Sequence, residues 1–242
     1  MPGVEGVFII ARPQIGHLIN ENMNELSQNK VVNTLRVLYP IWFLFGIFSI
    51  LYVPSTLINY SDPLATANNI SAQATLFRLG IASSLITQLL YIIIPFLLYQ
   101  LFKKQDHAVA MLMLILSLVS VPITMYNETK KLLVLDLLQQ PDQIMALLQD
   151  HTYGLGISTI FWGLWLFPLA FLVQQSGRFP KFIAIALYIT GVGYVVKSFL
   201  DIVFPEITQF NTVLEIMTIG EVIFIFWFVI MGLRYNQSKT VE

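Results

Sequence analysis

The chain has 242 residues, of which 56% are apolar and 11% charged, with a mean hydropathy of +0.72. Ordinary soluble domains carry about 25% charged residues, so this chain has too little polar surface to cover a soluble core and lipid is the implied partner. A net charge of −1 offers no basic field for nucleic acid, and the lack of cysteine excludes disulfides, thiolate metal sites, covalent c-type haem attachment and a cysteine nucleophile.

Residues 1–36 hold one short apolar cluster at 7–11, stopped by Arg12 and Pro13. They read as a cytoplasmic tail rather than a signal peptide. Pro2 removes the glycine that N-myristoylation needs. From residue 37 to 234 the pattern is that of one transmembrane domain, and 235–242 form a short tail. A helix needs about 20 mainly apolar residues to cross roughly 30 Å of hydrocarbon. Six segments qualify, near 38–59, 76–102, 108–126, 152–174, 182–204 and 213–233. The expected fold is therefore all-α, a polytopic bundle of six transmembrane helices.

Orientation follows from the loops. Arg12, Lys30, Arg36, Lys103, Lys104, Arg178, Lys181, Arg234 and Lys239 fall in one set of connections, and only Arg78, Lys130 and Lys131 in the other. The basic set marks the cytoplasm, so both termini are expected on the cytoplasmic side of a plasma membrane. Ser61-Asp62-Pro63 sets an N-cap before a first-turn proline and predicts a short helix on the outer face. Residues 132–148 suit an amphipathic outer helix broken at Pro141, or else an extension of the third span. Ser176-Gly177 with Pro180 reads as a helix stop, a turn and a restart.

Ionisable groups within spans are costly and usually face the bundle interior, where they pair. Counting 1.5 Å per residue puts Glu221 about 12 Å inward from the outer start of the sixth span. Lys197 and Asp201 also fall in the outer half, and Arg78 and His151 open the second and fourth spans at the outer surface. With Tyr153, Trp162 and Tyr194 as aromatic walls, these eight residues predict a polar ligand pocket in the outer half, with an Arg78–Glu221 ion pair inside it. Duller readings exist for several of them. Lys197 and Asp201, spaced i,i+4, suit mutual neutralisation. Arg78 suits snorkelling to headgroups and His151 an interfacial place. Gly154, Gly156, Gly163, Gly191 and Gly193 suit close helix contact. Three histidines and no cysteine imply no metal site.

No GxSxG, HExxH, Walker A or paired-histidine pattern occurs, no catalytic residue can be named, and no cofactor is implied. The leading expectation is a membrane protein that binds or conducts a small solute or lipid ligand. The alternatives are an intramembrane enzyme acting on a lipid or isoprenoid, with Glu221 or His151 as acid or base, and a structural or assembly partner without ligand. No motif encodes the oligomeric state.

Phe77-Arg78-Leu79-Gly80, His151 with Tyr153-Gly154, and Phe161-Trp162-Gly163-Leu164 occur in order along the chain. Ser176-Gly177 with Pro180, Gly193-Tyr194 with Ser198-Phe199, and Gly220-Glu221 follow. In this order and spacing the chain resembles a family of bacterial integral membrane proteins, the domain of unknown function DUF4386. The resemblance implies six spans and a shared outer polar group of Arg78, His151 and Glu221. It implies the inner membrane of a bacterium and no activity, and because the likeness starts near Met23 it makes residues 1–22 readable as an upstream extension. Lys197 departs from it, since an acidic or neutral residue is expected there.

Overall fold

The computed structural model describes residues 28–232, and the elements in that range are helices. The first, α1 (Gln28–Leu57), starts well before the expected apolar boundary. At 30 residues it is about 45 Å long, so the turns carrying Lys30 and Arg36 extend beyond the hydrocarbon thickness. Residues 28–36 of the expected tail are therefore helical, while 1–27 and 235–242 lie outside the described residues. Near its outer end α1 contains a π-helical turn, Phe48–Tyr52, closed by the Val53 amide donating to the Phe48 carbonyl.

The predicted surface helix is present as α2 (Pro63–Ala72), with Pro63 in the first turn and Asp62 Oδ1 accepting from the Ala65 amide at 2.9 Å. Five further helices follow: α3 (Ala74–Phe102), α4 (His107–Val134), α5 (Pro141–Ser176), α6 (Lys181–Val203) and α7 (Asn211–Met231). With α1 they make six helices long and apolar enough to cross a membrane. The segment 132–148 forms no separate surface helix. Instead α4 and α5 both lengthen outward and meet at a turn over 135–140. Pro168 explains the break in α5 at Trp165, because it has no N–H to give to the Leu164 carbonyl one turn back. Gly177, at φ 63°, ends α5 in a left-handed conformation that glycine adopts without cost, and Pro180 precedes the restart at Lys181.

Each span packs on its neighbour in chain order, and α7 returns to α1. At the basic, inner end the return is fixed by Arg36, whose Nε donates to the Val229 carbonyl at 2.7 Å. The α5–α6 contact is close because Gly163 and Gly191 face each other's backbone. A Cβ at Gly163 would lie 2.8 Å from the Gly191 oxygen. Gly193 faces Met217, Gly220 lies against Ala186 and Thr190, and Gly80 lies against Val53. The family motif glycines are thus largely helix contact points. Gly156 differs: nothing lies within 4 Å of its Cβ direction, so it serves no close contact.

The inner half is filled by Leu98, Phe102, Leu169, Leu172, Phe179 and Phe228, each at most 5% exposed. A smaller core near the outer end joins α2 to α5 through Ile70, Ile144 and Leu148. Between these two apolar cores lie the polar residues.

Candidate functional site

Two cavities share a wall. The outer one, about 100 Å³, is bounded by α1, α3, α4 and α5. Its centre is Glu128, 3% exposed, at the break in α4 between Asn127 and Thr129. Ser84 Oγ donates to Glu128 Oε1 at 2.7 Å, and His151 Nε2 lies 3.2 Å from the same oxygen. An ionised carboxylate only accepts, so the ring proton belongs on Nε2. Lys131 Nζ stands 3.4 Å from both carboxylate oxygens. Behind this group the Asn127 amide donates to the His151 carbonyl at 2.7 Å. Gly154 makes room for it, since a Cβ there would collide with the Asn127 side chain.

The deeper cavity, about 230 Å³, is walled by α1, α3, α5, α6 and α7. Glu221 lies in it, about 15 Å along α7 from Asn211 and so near the middle of the span. It forms no ion pair or hydrogen bond among the described residues. Tyr91 and Tyr194 line the same cavity. Trp42 stacks on Tyr91 with ring centroids 5.9 Å apart, and Tyr91 meets Trp165 edge-on at 5.7 Å. Gly46 faces the cavity with only Thr87 Cγ2, at 4.0 Å, near its Cβ direction. The walls are chiefly aromatic and aliphatic, rather than the polar lining expected from the sequence.

Gln88 and Trp162 border both cavities. Gln88 is 5% exposed and its Oε1 has no hydrogen-bond partner among the described residues. This amide stands between the two carboxylates.

The eight sequence candidates do not share one site. Glu221, Trp162 and Tyr194 meet at the deeper cavity, and His151 with Trp162 at the outer one. Arg78 is exposed, borders neither cavity, and does not form the expected pair with Glu221. Tyr153 is 64% exposed. Lys197 bonds Asp201 at 3.1 Å and reaches Glu215 at 3.9 Å, a separate cluster beside the outer ends of α6 and α7.

Over residues 37–232 the chain matches the profile of a family described as "Domain of unknown function (DUF4386)". The chain belongs to the DUF4386 family. An uncharacterized protein of Archaeoglobus fulgidus is 33% identical over 84 residues, which are 34% of this chain and 49% of that protein. The chain thus matches about half the length of this relative, which is archaeal where the sequence resemblance pointed to bacterial proteins. No solved structure matches. Neither finding carries an activity to this DUF4386 chain, so its site rests on geometry.

Sequence reading missed Glu128, Ser84, Gln88, Tyr91 and Trp42. One signal was available. Ser84, Thr87, Gln88 and Tyr91 fall at i, i+3, i+4 and i+7, a polar stripe down one face of an otherwise apolar span. Glu128 gave no such signal, because Asn127, Lys130 and Lys131 beside it read as a loop.

Proposed function

We propose that this DUF4386 protein lies in a plasma membrane, inner end to the cytoplasm, and binds a small solute in the Glu221 cavity. The placement in the membrane is supported by Lys30, Arg36, Lys103, Lys104, Arg178 and Lys181, which gather at one end of the bundle. The observation that carries the binding reading is Glu221 itself. A carboxylate in the middle of a span is costly, and structural bundles pair or omit such groups. Here it has no ion-pair partner among the described residues and faces a cavity of about 230 Å³. Binding is favoured over conduction because the packed inner core leaves the cavity closed toward the cytoplasmic end.

Filling the cavity tests this reading. Gly46→Phe directs a ring into the void from a position with free space around its Cβ. A small brominated solute, 4-bromoethylbenzene, should quench the tryptophan fluorescence of the purified chain saturably through Trp42 and Trp162. Gly46→Phe should abolish the saturable part without lowering thermal stability. Equal quenching of both proteins would count against the cavity as a binding site.

A further inference from the structure

We infer that the solute held in the Glu221 cavity is a monovalent organic cation with an apolar body, a protonated amine rather than a neutral or anionic molecule. This rests on the binding reading above and names its ligand class. The first ground is charge. At the outer cavity the chain balances its own carboxylate, giving Glu128 a lysine, a histidine and a serine hydroxyl. Lys197 is held by Asp201 and Glu215, Lys130 by Asp150, and Arg78 is exposed and lines neither cavity. Glu221 receives none of these cations among the described residues, so a cationic ligand would supply the positive charge that the other carboxylates find within the chain.

The second ground is the wall. Trp42, Tyr91, Trp162 and Tyr194 bring aromatic rings around the carboxylate. Ring faces attract cations and offer nothing to anions, and several of them around one acidic group make a cage for ammonium ions. The third is Gln88, whose buried, unpartnered Oε1 can only accept a hydrogen bond. Gln88 and Glu221 line the same cavity, and an ammonium N–H is the kind of donor that both oxygens lack. Among the described residues the unpartnered donors of the surrounding aromatic side chains are neutral, the Trp42 and Trp165 indole N–H groups and the Tyr39 hydroxyl.

The apolar body follows from the mouth. Ile47, Ile50 and Leu51 line the cavity and are also 40%, 55% and 63% exposed on the outer half of α1. The cavity therefore opens sideways between α1 and Val222 of α7, toward acyl chains. A ligand entering there must first partition into lipid, which a small hydrated inorganic ion does not do.

The test uses shape-matched probes on the purified full chain. 4-Bromobenzylamine, protonated at neutral pH, has the outline of uncharged 4-bromoethylbenzene, and 4-bromophenylacetate supplies the opposite charge. Tryptophan quenching should show the amine binding at least about ten-fold more tightly than its neutral isostere, with no saturable quenching by the anion. Glu221→Gln should bring the amine down to the affinity of the neutral probe while leaving that probe unchanged, which also confirms that the variant folds. If the amine and the neutral isostere bind the wild-type chain equally, the cation assignment falls and the binding site stands. If no probe quenches saturably, both fall. The wild-type comparison decides the matter even if Glu221→Gln does not fold.

Discussion

Removing the Glu128 carboxylate should destabilise the bundle more than removing any other polar group at the outer end. Three helices meet on it: Ser84 from α3, Lys131 on its own α4, and His151 from α5. Breaking a buried pair by deleting one partner costs about 3–5 kcal/mol, whereas interhelical hydrogen bonds inside a bilayer average only about 0.6 kcal/mol. Depth selects between these figures. From His107 to Glu128 the helix rises about 32 Å, which puts the carboxylate at the outer edge of a roughly 30 Å hydrocarbon layer, where partial hydration softens the loss. Glu128→Ala should therefore cost about 2–4 kcal/mol, because it strands a lysine and a histidine. Glu128→Gln keeps an oxygen for Ser84 and should cost about 1–2 kcal/mol. Detergent-driven unfolding in mixed micelles, followed by far-ultraviolet circular dichroism, measures both. A cycle with His151→Ala should reveal a coupling of about 0.5–3 kcal/mol, since the two side chains share one bond. A loss below about 0.5 kcal/mol for Glu128→Ala, or strict additivity with His151→Ala, would refute the hub.

Cysteine-free background makes topology directly testable: single cysteines at Ser61 and Gln139, both exposed at the outer end, should react with an impermeant maleimide in intact cells, and one at Gln105 should not. Labelling at Gln105 alone would invert the assigned orientation. Glycine substitutions should separate packing from open surface. Gly163→Ala forces a Cβ to within 2.8 Å of the Gly191 oxygen and should lose about 1–3 kcal/mol, while Gly156→Ala, in open space, should gain up to about 1 kcal/mol from helix propensity. Equal effects in the same unfolding assay would show that the α5–α6 approach is not set by Gly163.

What the sequence disclosed was height along the membrane normal; what it concealed was angle about each helix axis. Long apolar runs fix the spans, and Asp62-Pro63 fixes a cap, because both are local. Counting residues put Glu221 about 12 Å inward from the outer start of its span, and the structure has it about 15 Å along α7 from Asn211. Pairing it with Arg78 required both side chains to face the same way, and height does not decide that. Arg78 sits about 120° round the helix from Ser84, off the polar stripe of α3, and the structure leaves it exposed. Tyr153 follows the same rule: two residues after His151 means about 200° of rotation, so burying the histidine turns the tyrosine outward. Trp42 was hidden for a different reason. The apolar stretch of α1 has no charged residue to attract notice, yet its π turn and Gly46 form much of the deeper wall. Glu128 was hidden because Ser84 and His151 lie on other helices, and only the outward extension of α4 and α5 brings the histidine to it. Angle can still be read where several polar residues on one span repeat at helical spacing. On α3 that stripe runs from Ser84, which faces the Glu128 cavity, through Thr87 and Gln88, which border both, to Tyr91 at the Glu221 cavity. The second span thus carries the polar face along which the two cavities meet, although neither carboxylate is on it.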